Sequence, residues 1–134
     1  MVRTQSNERR ERILQVAAEV FAREGYHRAT IADIITGADI ARGTFYLYFK
    51  SKQDVFEFMA DRFLAQLKGG IKGIDLEGEI PALAQLEANL VRTIETVRQY
   101  RNVAAIMFGG NDAPDPRIRD KVELFFAEVK ELVA

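Results

Sequence analysis

Residues 41–52 read ARGTFYLYFKSK, which places two tyrosines, two phenylalanines, a leucine and three cationic residues in twelve positions. An ordinary amphipathic helix keeps its aromatics on one buried face. Helical geometry sorts this stretch differently. On a short helix entered from Ile40, the side chains of Ile40, Phe45 and Phe49 fall near one face and can pack on preceding elements, whereas Arg42, Thr44, Tyr46 and Tyr48 are left on the other. Gly43 lets the backbone of that outer face come close to a partner, at some cost in helix propensity. The pattern describes an element that belongs to a core on one side and to a recognition surface on the other.

The flanking sequence supplies helices for it to pack against. Ile13, Leu14, Ala17, Ala18 and Phe21 recur at helical spacing and predict an amphipathic helix from about Asn7 to Glu24, ended by a left-handed Gly25. Thr30-Ile31-Ala32-Asp33 has capping-box form and opens a second, short helix with Ile31, Ile34 and Ile35 on its apolar face; Gly37 is expected to break it after about two turns. Ser51-Lys52-Gln53-Asp54 repeats the capping arrangement, and Val55, Phe56, Met59, Phe63 and Leu67 carry a helix to about Lys68. Residues 69–79, GGIKGIDLEGE, lack the spacing of a phosphate-binding loop and read as a flexible connection. Pro81 suits a helix start, and Leu83, Leu86, Leu90, Ile94 and Val97 stripe the helix that follows. A brief helix is expected from Val103 to Phe108, then a loop, GGNDAPDP, at 109–116. From Arg117 onward, Ile118, Val122, Phe125, Val129 and Leu132 form an apolar stripe at alternating spacings of four and three. No strand pattern is evident, so the fold class is all-α.

Composition limits the chemistry. With 134 residues, 48% of them hydrophobic and 29% charged, the chain can bury a real core. It contains no cysteine, which excludes disulfides, thiolate nucleophiles and cysteine-ligated metals. His27 is the one histidine, which argues against a metal site, and carboxylates scattered over helix faces do not make a catalytic constellation; no cofactor, no metal and no enzymatic activity are expected. The amino terminus is polar and no stretch reaches 18 apolar residues, so a cytoplasmic location without a membrane partner is expected. Residues 1–52 hold nine Lys and Arg against six Asp and Glu, while the remainder holds ten against fourteen. A polyanion would therefore meet the amino-terminal part.

A two-turn helix, a tight turn and a second short helix make a helix-turn-helix, whose second member enters the DNA major groove while the first crosses the backbone. Residues 11–56, ERILQVAAEVFAREGYHRATIADIITGADIARGTFYLYFKSKQDVF, closely resemble the DNA-binding domain of the tetracycline-repressor (TetR) family. The resemblance lies in the Ile13-Leu14, Ala17-Ala18, Phe21 pattern, in Gly25-Tyr26, in the Thr30 that opens the second helix, and in Gly43-Thr44-Phe45-Tyr46, Tyr48-Phe49 and Ser51-Lys52. It implies a helix-turn-helix domain at 1–52, joined through a long fourth helix to an incomplete helical regulatory domain at 53–134. It also implies a homodimer on a palindromic double-stranded operator, repressing transcription until a small-molecule effector binds the second domain.

Carried over by position, the resemblance places Thr30 at a phosphate, Arg42, Gly43, Thr44 and Tyr46 on the recognition helix, and Tyr48 and Lys52 on the DNA backbone. The side-chain chemistry agrees: arginine can hold guanine O6 and N7 together, threonine offers a methyl and a hydroxyl, and hydroxyls or an ammonium suit phosphate. Three positions depart from the family. Ala41 stands where many members have Ser or Thr, Asp39 where Gly is usual, and Ile35 where Ala is usual. Asp tolerates the left-handed conformation that the turn needs. Ala41 and Asp39 also motivate the alternative of a helical interaction module that has lost sequence-specific DNA binding. In the second part, Tyr100, Met107, Phe108, Phe125 and Phe126 are candidates to line an effector pocket. The stripe after Arg117 is expected to lack part of its cover and to favour association with a second copy.

Overall fold

Gly25 adopts φ +80° and stops the first helix, as its position implies. In the computed structural model, which describes residues 2–108 and 116–133, that helix is α1 (Val2–Glu24), starting five residues before the Asn7 expected. It is followed by α2 (Ile31–Ala38), α3 (Arg42–Tyr48), α4 (Lys52–Gly70), α5 (Ala82–Gln99), α6 (Arg101–Phe108) and α7 (Pro116–Val133). The described residues contain no strand. None of their helices is long and apolar enough to cross a membrane. Of the stretch 109–116 read as a loop, Pro116 alone falls within the described residues, as the first residue of α7.

Local chemistry fixes the short helices. The Thr30 hydroxyl accepts from the Asp33 N–H at 3.1 Å while the Asp33 carboxylate accepts from the Thr30 N–H at 3.1 Å, a complete capping box. Ser51 caps α4 in the same way through the Asp54 N–H, but the Asp54 carboxylate returns to the N–H of Lys50, 2.9 Å away, rather than to that of Ser51. Gly37 does not break α2. It lies within the last turn, and the left-handed residue is Asp39, at φ 54° and ψ 53°. The role of Gly37 is proximity: a Cβ there would lie 2.6 Å from Val16 Cγ1, so its hydrogen lets α2 press on α1.

Helix α4 joins two halves of one core. At its start Phe56 closes a ring cluster with Phe21 and Tyr26, with centroids 5.9 and 5.3 Å away. Farther along, Phe63 faces Tyr100 at 5.4 Å and Phe108 at 6.3 Å, and Leu64 and Leu67 are buried with Val103, Ala104 and Met107 of α6 and Ile118 and Phe125 of α7. Of the α7 stripe, Ile118 and Phe125 are covered while Phe126 and Leu132 remain exposed, so part of it lies open. Ion pairs of α7 with α4, Lys121–Asp61 at 2.7 Å and Glu128–Lys68 at 2.7 Å, flank that contact.

The connection after α4 is held rather than loose. Asp75 Oδ1 accepts from the N–H groups of Glu77 and Gly78, an Asx turn, and the side chain of Gln85 on α5 accepts from the Asp75 N–H and donates to the carbonyls of Asp75 and Ile80.

Candidate nucleic-acid interface

Helix α3 is seated by its aromatics. Phe45 is fully buried, Phe49 nearly so, and Phe49 meets Phe58 of α4 edge-on at 5.8 Å. Ile40 packs against the same core. That seating turns Arg42, Gly43, Tyr46 and Leu47 to the outside and leaves Thr44 and Tyr48 half-buried at the margins. Positions 42 and 46, and 43 and 47, are each one turn apart, so the four make a continuous outward face.

No side chain caps the start of α3, where Ala41 provides none; the Thr44 and Phe45 N–H groups close on the Ala41 carbonyl at 3.0 and 3.2 Å. The turn before it survives its missing glycine because the left-handed Asp39 directs its N–H to the Ile35 and Thr36 carbonyls. Arg12 of α1 donates from Nε to the Ala38 carbonyl at 3.0 Å, a cationic cap on the end of α2 that ties α1 to the turn. The α2–turn–α3 unit is therefore held on two sides.

The remaining sequence candidates divide. Thr30 is exposed at the start of α2; its hydroxyl oxygen accepts within the capping box and its O–H is available to a phosphate. Tyr46 is about half exposed, its ring edge-on to Phe45 at 5.3 Å, so it is not simply a core residue. Lys52 behaves otherwise than the resemblance implied. Its ammonium donates to the carbonyls of Tyr26 at 2.7 Å, His27 at 3.2 Å and Ala29 at 3.1 Å, and lies 4.5 Å from the Tyr26 ring centroid. Three N–H donors meet three carbonyls, so Lys52 braces the α1–α2 connection and has no proton left for a phosphate in this arrangement. Burial also draws its pKa below the ordinary lysine value.

Sequence reasoning missed two neighbours. Leu47 is 80% exposed, and its spacing of four from Gly43 was the available signal. Arg10 of α1 lies between rings, its guanidinium carbon 6.0 Å from the Tyr48 centroid and 5.9 Å from that of Phe58. No short-range pattern links positions 10 and 48. An exposed face carrying a guanidinium, hydroxyls, a phenol and an apolar side chain, edged by a second arginine, has the mixture that major-groove edges and phosphates require.

The five effector-pocket candidates are not gathered into one cavity. Tyr100 donates its O–H to Gln66 and borders a cleft of about 450 Å³ with Glu11, Leu14, Met59 and Arg62. Phe125 borders a different one with Leu64 and Lys121. Met107 is buried in the core, and Phe108 and Phe126 are about half exposed, lining neither. Met107, Phe108, Phe125 and Phe126 lie on helices and Tyr100 caps the end of α5, but spacing alone does not say which faces converge. Across the first cleft Arg62 grips Glu11 with both nitrogens, at 2.8 and 2.5 Å, which lowers the Glu11 pKa through that hydrogen bond and raises that of Arg62. Among the described residues no group of acidic or histidine side chains could hold a metal ion.

Comparison with known proteins follows this geometry. Residues 13–59 match the family model described as bacterial regulatory proteins, tetR family, a segment that runs from the core of α1 to Met59 in α4. The chain is 32% identical over 106 residues to the uncharacterized HTH-type transcriptional regulator YvdT of Bacillus subtilis, covering 79% of this chain and 54% of that one. It is 32% identical over 98 residues to the HTH-type transcriptional repressor KstR2 of Rhodococcus jostii, covering 73% and 48%. The chain thus spans about half the length of these curated relatives. The fold is similar to that of the fatty acid degradation regulator FadR from Bacillus halodurans, with a TM-score of 0.63, 22% identity, and 92% of this chain and 61% of that one covered.

Proposed function

We propose, from the match of residues 13–59 to the family model of bacterial regulatory proteins, tetR family, that the chain is a DNA-binding repressor of that family whose α3 reads the major groove of a palindromic operator. Arg42, Gly43, Thr44, Tyr46 and Leu47 face the bases. Thr30 and Tyr48 hold flanking phosphates, with Arg10 beside Tyr48. Lys52 acts from inside, fixing the α1–α2 connection that presents Thr30.

The observation that carries this reading is the outward face of α3, where a short helix seated by Phe45 and Phe49 turns Arg42, Tyr46 and Leu47 away from the core. A second reading, a helical interaction module without sequence-specific DNA binding, draws on the exposed Asp39 carboxylate, which would repel phosphate. A single helix-turn-helix offers one half-site, so a pair of chains is required to span an operator with half-sites about 34 to 36 Å apart, or a multiple of that distance. Residues 1–52 form the reading domain and 53–134 the regulatory part, with α4 as the helix common to both cores. An effector acts on the operator through α4, since a shift there moves the ring cluster of Phe56, Phe21 and Tyr26.

The test is recovery of duplexes from a random pool. Enrichment of an inverted repeat supports the reading; retention of all sequences equally, or of none, overturns it in favour of the interaction module.

A further inference from the structure

Phe58 of α4 joins the end of α3 to α1. Its ring meets that of Phe49 edge-on at 5.8 Å, and two guanidinium carbons stand near it, that of Arg62 5.1 Å and that of Arg10 5.9 Å from the centroid. Helix α3 ends at this place: Tyr48 is its last residue, and the Phe49 N–H closes on the Phe45 carbonyl at 3.1 Å. Arg10 also stands 6.0 Å from the Tyr48 centroid. A cation is attracted by the negative face of an aromatic ring, so both arginines hold the Phe58 ring in place.

Glu11 decides where Arg62 stands. Its carboxylate takes both terminal nitrogens of Arg62, at 2.8 and 2.5 Å, and a two-pronged grip fixes the guanidinium plane where a single hydrogen bond leaves it free to turn. Two cations drawn to one ring repel each other, and the Glu11 charge, which acts on Arg10 and Arg62 alike, offsets that repulsion. Both side chains of the pair are about half exposed, so it adds little to the stability of the whole chain. Its effect is concentrated on Phe58, which packs against the core and carries Phe49.

We propose that Glu11 and Arg62 are positioning residues: by holding Phe58 they order the Tyr48–Phe49 end of α3, and so support operator binding without touching DNA themselves. The consequence for affinity rests on the reading of α3 as the helix that enters the groove, whereas the order of α3 is measured on the free protein, so the two can fail separately.

Arg62→Met keeps a long unbranched side chain and removes the guanidinium. In amide hydrogen exchange of the free protein, the Phe49 N–H is expected to exchange about twofold to fivefold faster, while those of Ala29 and Ile34, bonded to the Gly25 and Thr30 carbonyls, keep their rates. Glu11→Gln, which loosens the guanidinium without removing it, is expected to speed the same amide to a smaller degree. In a Phe58→Leu background, where the ring is absent, Arg62→Met is expected to change nothing further at Phe49. With duplex DNA, Arg62→Met should weaken binding by a similar factor at an unchanged salt slope, since no phosphate contact is lost. The proposal is overturned by an unchanged Phe49 rate, by equal acceleration at all three amides, which is a loss of global stability, or by an undiminished effect of Arg62→Met in the Phe58→Leu background. Unchanged affinity beside a faster Phe49 amide overturns its part in operator binding. A native chain that binds no duplex overturns the operator reading, and the exchange rates still decide whether Glu11 and Arg62 order α3.

Discussion

The Lys52 ammonium lies 2.7 Å from the Tyr26 carbonyl oxygen and 4.5 Å from the centroid of the Tyr26 ring. Twenty-six residues separate the two in sequence, yet the contact decides how the first helix is joined to the α2–turn–α3 unit. Lys52→Met keeps most of the side-chain volume and leaves three carbonyls without their donor. It should destabilise the fold by about 1–3 kcal/mol, measured by urea denaturation, while the salt dependence of DNA binding by the folded fraction keeps its slope. A reduced slope with unchanged stability would return Lys52 to the phosphates.

Gly37 makes a steric prediction. A methyl group there meets Val16 Cγ1 at 2.6 Å, so Gly37→Ala should cost about 1–3 kcal/mol through overpacking. The double variant with Val16→Ala should recover part of that loss. Additive losses in the double variant would show that the glycine matters for a different reason.

Tyr48→Phe retains the ring beside Arg10 and removes the hydroxyl. Stability should be unchanged and DNA affinity should fall by about 0.5–1.5 kcal/mol, one phosphate hydrogen bond. Titration of duplex by fluorescence anisotropy measures this. Equal affinity of the two proteins would make Tyr48 a packing residue.

The Glu11–Arg62 pair predicts an acid dependence. Because Arg62 lowers the folded pKa of Glu11 below its ordinary 4.5, the pair's contribution is present above that value and is lost as the pH falls through the lowered one. Both side chains are about half exposed, so the contribution is small, about 0.2–1 kcal/mol. Native protein and Glu11→Gln should differ in urea midpoint near neutrality and converge in strong acid; a constant difference would assign the effect to packing.

These contacts show where the sequence is readable. Features closed within a few residues were legible: Gly25, the Thr30–Asp33 box, the Ser51 cap, the tolerance of Asp39 for its left-handed turn, and the division of Phe45 and Phe49 from Arg42 and Tyr46. The carbonyl contacts of Lys52 were not legible because its partners, Tyr26 to Ala29, come from another element, and a cation near a helix start looks the same whether it faces a phosphate or a carbonyl. Gly37 was taken for a breaker because its reason for being small is Val16, on α1. For the effector-pocket candidates, whether Tyr100 and Phe125 share a cavity depends on how α6 and α7 lean on α4, which spacing does not encode. The same holds for α5, whose apolar row suggests burial until Asn89, Arg92 and Thr96 are seen to hold its polar side inward.

The central claim is that the outward face of α3 reads base sequence, with Arg42 as its main reader. The most direct measurement is the affinity of native protein and Arg42→Ala for the selected duplex and for random duplex, each across a series of salt concentrations. The account predicts a loss of about 1–3 kcal/mol on the selected duplex, with relaxed preference at one base pair and little change on random DNA. Equal losses on both duplexes would contradict it, reducing Arg42 to a phosphate contact and leaving α3 without its reader.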